Sequence, residues 1–314
     1  MAYCEDLEEN YENMRTIFEL LQLDQLNYVI AADLKLLNVL CGLSGHGGKY
    51  ACIYCEGERG LEAGRLRSLA RIIECYDGFT SAGSDKRRMK EFANVVNVPL
   101  LKLENDDLME AMIPPPELHL MMGAVNHKLN LLSRLITKME LDEELLWTWC
   151  DSKGITRRGY NGKNKLDGNN SSRFLSWIDE LEKCEWFPIE AGPIVDCLMQ
   201  FKEIKDKCFG WNLEDGWQDA ILSYKHMFSE LQVYSDTVLG LDLSCTWKIH
   251  VIVCHLKPFL TTKQCGLGCY AEQTGESIHA KIKPVLNRHK RKPGHKEHGT
   301  RQQRAVVEFS SNNI

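Results

Sequence analysis

Apolar residues recur at Tyr11, Met14, Ile17, Phe18 and Leu21, the 3.6-residue rhythm of an amphipathic helix, and predict one over residues 7–23. The rhythm then breaks. Tyr28, Val29, Ile30, Ala31 and Ala32 form a β-rich run that reads as a short buried strand with a carboxylate, Asp33, at its end. Helical spacing returns over 34–43, 61–76 and 85–96. Pro114, Pro115 and Pro116 close a loop before a long helix over 118–139. Gly, Asn, Lys and Arg crowd together over 156–170, which predicts an exposed loop or short hairpin. Further helices are predicted over 172–184, 188–208, 213–231, 241–258 and 270–286. No internal repeat is evident, and the chain reads as mainly α with a small β part near its start.

At 314 residues the chain can bury a large core, and two subdomains are expected. Its 44% hydrophobic and 26% charged residues describe a soluble globular chain, with no apolar run long enough for a membrane span. The acidic start, residues 1–12, does not have the pattern of a signal peptide. A reducing, intracellular compartment follows, in which most of the 13 cysteines are free core thiols or ligands. The seven tryptophans, Trp147, Trp149, Trp177, Trp186, Trp211, Trp217 and Trp247, fall at helical spacing and are expected to pack in cores.

Two close pairs carry chemistry. Cys52 and Cys55 stand as Cys-Ile-Tyr-Cys, with Gly45, Gly47 and Gly48 before them and Glu56-Gly57 after, the tight turns that a metal knuckle needs. A redox-active or incidental CxxC is the alternative, but the βαβ surroundings of a thioredoxin-like motif are missing. His250 and His255 would complete a tetrahedral Cys2His2 set for zinc. Five residues apart on an ideal helix is about 140° off one face, so a helix end or irregularity is required to bring them together. One shared ion would draw in the carboxylates around it. Asp33 lies 19 residues before Cys52, and Glu276 lies 21 after His255 on a predicted helix with Glu272 and His279. Carboxylates held close can bind magnesium and support phosphodiester cleavage, whereas each taken alone reads as a helix cap or a solvated acid.

The run Ala32-Asp33-Leu34-Lys35-Leu36-Leu37, followed by Gly48-Lys49-Tyr50-Ala51-Cys52-Ile53-Tyr54-Cys55, resembles the second catalytic aspartate and zinc cysteines of the V(D)J recombinase catalytic subunit and its Transib-type transposon relatives. The match continues in order. Pro114-Pro115-Pro116-Glu117-Leu118-His119 is similar to that family's proline-led Leu-His segment, and Asn161-Gly162-Lys163-Asn164 or Gly168-Asn169-Asn170 to its Asn-Gly-Asn segment. His250 and His255 match its His-x4-His pair, and Tyr270-Ala271-Glu272-Gln273-Thr274-Gly275-Glu276-Ser277 its aromatic-led helix with the last catalytic glutamate. The ordered combination, rather than any one motif, carries the resemblance.

The resemblance implies an RNase H-like DDE core, interrupted by a large zinc-stapled helical insertion, that nicks DNA and joins strands. On it, residues 1–45 are a partial core, 46–260 the insertion, 261–287 the return helix of the core, and 288–314 a basic, disordered tail. Asp33 and Glu276 would hold magnesium or manganese as the second and third acids, with Glu272 as substitute for the latter. The first acid has no counterpart, since Asp6 reads as a cap and Asp24 as a turn residue. The expectation is therefore an incomplete active site in a truncated, decayed or domesticated transposase, not competent alone. The alternative is a catalytically dead zinc protein that binds DNA or a protein partner; a zinc-containing helical scaffold unrelated to transposons also stays open.

The net charge of −6 argues against a uniformly basic nucleic-acid binder, but charge is segregated. Arg157, Arg158, Lys163 and Lys165 in the glycine-rich loop, and Lys290, Arg291 and Lys292 in the tail, are candidate DNA contacts, with a solvated turn and a solvated terminus as alternatives. DNA is the expected partner, a homodimer is left open, and a nuclear location is expected from the basic tail.

Overall fold

The computed structural model describes residues 8–22, 30–45, 47–101, 107–160 and 163–270, with Pro284, Val285 and Arg288. Residues 9–270 form one compact unit, and 1–8 with 271–314 a second.

Asn10 opens α1 (Tyr11–Leu20) by accepting the Asn13 N–H at 3.0 Å, and Asp33 opens α2 (Leu34–Leu40) by accepting that of Leu36 at 2.7 Å. Residues 30–32 are not a strand. A β-rich run becomes one only with a neighbour to complete its hydrogen bonds, and among the described residues it has none. The expected helix over 61–76 begins eight residues late, as α3 (Leu69–Ser81) capped by Ser68, because the chain before it pairs with the cysteine loop. A 3-10 helix, Lys86–Phe92, replaces the helix expected over 85–96; it is bounded by left-handed backbone at Ser84, Ala93 and Asn94.

A short α4 (Met109–Met112) precedes α5 (Glu117–Lys138), whose stripe of Leu120, Met121, Ala124, Val125, Leu129, Leu132 and Ile136 is buried. Then come α6 (Glu144–Ser152) and a hairpin of β1 (Arg158–Tyr160) and β2 (Lys163–Lys165), in register Arg158 with Lys165 and Tyr160 with Lys163. This hairpin lies in the stretch 156–170, where an exposed loop or short hairpin is expected, and not near the start of the chain. Helix α7 (Gly168–Trp177) leads through a 3-10 turn to α8 (Gly192–Cys208), which packs along α9 (Trp217–Thr237). Phe201 and Tyr224 meet there with ring centroids 5.6 Å apart. The expected helix over 241–258 is two helices, α10 (Trp247–Cys254) and α11 (Leu256–Lys263). The chain is mainly helical, and no helix among the described residues is long and apolar enough to cross a membrane. Trp147 and Trp149 are buried as expected, but Trp177 is 39% and Trp211 73% exposed.

One buried cation stands out in this core. Lys128 of α5 is fully buried, donates to the Tyr224 hydroxyl and lies 4.7 Å from the centre of the Phe228 ring. Burial pushes its pKa down to about 8, against weaker support from Cys197 and Cys245. Below pH 8 both folded and unfolded chains carry the proton, and the folded state bears the full desolvation cost. Between that value and the ordinary 10.5 only the unfolded chain keeps the proton, so this group's contribution to stability rises with pH. Buried thiols such as Cys41 and Cys150, pushed up to about 12, act oppositely once the unfolded thiols ionise above pH 9. Replacing both polar partners, Lys128→Met with Tyr224→Phe, is expected to raise the melting temperature at pH 7 and to remove this group's rise in stability above about pH 8. A lower melting temperature in the double variant would contradict this.

Candidate metal centre

The cysteine loop is built by backbone pairing. The Glu56 N–H donates to the Arg65 carbonyl at 2.8 Å, and the Arg67 N–H to that of Tyr54 at 2.9 Å, so residues 52–56 lie against 65–67. Gly57 and Gly64 touch so closely that a Cβ on Gly64 would stand 2.4 Å from the Gly57 nitrogen. Their N–H groups both donate to Cys55 Sγ, each at 3.4 Å. Arg67 is fully buried beneath the loop. Its Nε donates to the carbonyls of Cys52 and Cys55 at 3.0 and 3.1 Å, and one terminal nitrogen to those of Tyr50 and Ala93 at 3.0 and 2.8 Å. A rigid guanidinium thus fixes the direction in which both cysteines leave the backbone.

His250 stands inside α10, and His255 stands at the break between α10 and α11. His255 caps α10 with φ −120° and ψ −17°, away from ideal helix values. Pro258 explains the break: in a continuous helix its ring would press on the Cys254 carbonyl, and it has no N–H to give that carbonyl. The irregularity swings His255 round to the face of His250, and their Nε2 atoms come within 3.3 Å.

Cys52, Cys55, His250 and His255 are brought together, all buried, with their ligand atoms within 4.8 Å of one another. Cys52 Sγ is 3.5 Å from His255 Nε2, and Cys55 Sγ is 3.4 Å from His250 Nε2. A tetrahedral ion with metal–sulfur bonds of about 2.3 Å and metal–nitrogen bonds of about 2.05 Å has S–N edges of about 3.5 Å and an N–N edge of about 3.3 Å. The measured edges match it, so the cluster could hold a metal such as zinc. Both remaining ring nitrogens are oriented: His250 Nδ1 lies 2.8 Å from the Gly60 carbonyl, and His255 Nδ1 2.8 Å from the buried Glu110 carboxylate of α4. Such outer partners fix which imidazole nitrogen is free to ligate. The hydrogen bond from Cys52, then those to both histidines, lower the Cys55 thiol against the opposing effect of burial, while burial pushes Cys52 up. The His255 pKa is raised: burial opposes the charged ring, but its bonds to Cys55 and Glu110 outweigh that.

Glu110 and Arg67 were not singled out by the sequence. Glu110→Gln is expected to weaken metal retention roughly tenfold to a hundredfold without unfolding the chain. Competition against a colorimetric chelator measures it, and an unchanged affinity would remove Glu110 from the centre.

The other candidates are more scattered. Asp33 spends one carboxylate oxygen as the α2 cap. Arg157 forms a two-pronged pair with Glu144 at 2.7 and 2.8 Å and lies over Trp147, and Arg158 pairs with Asp167 at 3.0 Å. Lys163 and Lys165 lie in β2. Glu272, Glu276, Lys290, Arg291 and Lys292 are outside the described residues.

A family model described as a domain of unknown function, DUF8703, matches residues 1–63. The match takes in Asp33, Cys52 and Cys55 but neither histidine. No curated protein matches the chain.

Proposed function

We propose that this chain is a zinc-clasped protein derived from a DDE-type DNA transposase, which acts on DNA in the nucleus through an RNase H-like core interrupted by the helical insertion. The observation that supports it best is the convergence of Cys55 and His250, 195 residues apart, with Cys52 and His255 at tetrahedral spacing. That spacing makes the CxxC and His-x4-His pairs one site, in the order in which the resembled family carries them. Zinc is the ion that a buried two-thiolate, two-imidazole set favours. Asp33 and Glu276 are the proposed magnesium or manganese ligands; the metal would activate the attacking oxygen and stabilise the leaving one. Nicking of supercoiled plasmid by the chain, supplied with an upstream segment that provides the first acid, tests the catalytic part. Magnesium-dependent nicking lost in both Asp33→Asn and Glu276→Gln supports it, and nicking unchanged in both sinks it.

A second reading, DNA binding without catalysis, is favoured by the capping role of Asp33. It predicts DNA affinity that falls steeply with salt and is lost on truncation after Leu286. Binding that ignores salt or truncation would leave a protein partner as the occupant.

A further inference from the structure

The loop before residue 271 carries two thiols outside the metal centre. Cys265 and Cys269 bracket Gly-Leu-Gly, and the segment is drawn into one tight turn. The Gly266 N–H donates to the Trp211 carbonyl at 3.0 Å, the Gly268 N–H to that of Gly210 at 3.0 Å, and the Cys269 N–H back to that of Gly266 at 3.2 Å. Side chains are excluded from this turn, since a Cβ on Gly266 would stand 2.1 Å from the Gly210 oxygen and one on Gly268 2.8 Å from the Gly210 carbonyl. The Trp211 carbonyl that accepts the Gly266 N–H also accepts the Cys269 thiol, which folds Cys269 back beside the residue that follows Cys265. Cys265 is half-buried, with its sulfur 3.8 Å from the Tyr270 hydroxyl. Cys269 is the one exposed cysteine among those described, 3.3 Å from the Trp211 carbonyl.

We propose that Cys265 and Cys269 form a reversible dithiol–disulfide pair that exchanges with a low-molecular-weight disulfide of the glutathione type. The exposed Cys269 thiolate attacks one sulfur of oxidised glutathione; that S–S bond breaks, one glutathione thiolate leaves, and a mixed disulfide forms at Cys269. The Cys265 thiolate then attacks the Cys269 sulfur and expels the second glutathione thiolate. Two cysteines are oxidised, one glutathione disulfide is reduced to two thiols, and the two cysteine protons pass to the departing thiolates. Slight burial and the bond to Cys265 push the Cys269 thiol up, which makes the first attack slow at neutral pH and faster on alkalinisation. Bridging would take Cys265 from Tyr270 and Cys269 from Trp211.

The whole protein, equilibrated with reduced and oxidised glutathione at several ratios, alkylated and cut with trypsin, gives a direct answer. Both cysteines fall in the single peptide 264–281. In the wild type it is expected to lose two hydrogens and take up no alkyl group, while Cys265→Ser stops at a glutathione adduct on Cys269. A wild-type peptide alkylated at both cysteines at every ratio would overturn the proposal. So would a lasting glutathione adduct on wild-type Cys269, or a disulfide between two copies of the chain.

Discussion

Chelation of the metal is expected to unfold the helical unit, not merely loosen a surface loop. Structural zinc in small modules contributes about 10–16 kcal/mol of apparent binding free energy, comparable to or larger than the whole net stability of a typical domain. Here the four ligands join the loop of residues 52–55 to the α10–α11 break, and each lies among core residues. Without an ion, two cysteine and two histidine side chains would crowd together out of water, an arrangement that burial makes costly. A strong chelator should therefore abolish the cooperative thermal transition, and added zinc should restore it. His250→Ala should reproduce the loss without chelator. A transition unchanged in both cases would mean that the ligands assemble for some other reason.

The second large effect concerns Arg67. Its guanidinium donates to four carbonyls, those of Tyr50, Cys52, Cys55 and Ala93. Arg67→Met keeps most of the volume but leaves those acceptors without donors inside the core. The expected loss is on the order of 4 kcal/mol, from stranded acceptors at 1–3 kcal/mol each with partial relaxation. Arg67→Lys should recover little, because one ammonium cannot reproduce a planar fork that reaches four oxygens. Urea midpoints measure both, and a Met variant within about 1 kcal/mol of the wild type would show that the loop holds its shape unaided.

These two effects differ in how legible their causes are in the sequence. The ligands announce themselves, because two pairs with chelating spacing are local patterns. The requirement for a helix irregularity near His255 also follows from helix geometry, and Pro258 was available to place it. Arg67 and Glu110 give no local signal. Their roles arise from contacts across 12–26 residues for Arg67 and 145 for Glu110, which no spacing rule reaches. The long amphipathic stripe of α5 was legible almost to the residue, since a sustained 3.6-residue period has few other solutions. Residues 30–32 misled because β propensity describes fitness for a sheet, not the presence of one. Residues 61–68 misled because pairing with the cysteine loop displaced the start of α3. In the basic loop, the pairing of Arg157 with Glu144 and of Arg158 with Asp167 likewise gives no local signal in the sequence.

A single metal ion is expected to join the two distant pairs. X-ray absorption at the zinc edge of the purified chain tests it most directly. The expected result is one zinc per chain, bound by two sulfurs and two imidazole nitrogens. A chain purified without stoichiometric metal, or a shell of four sulfurs, would contradict it.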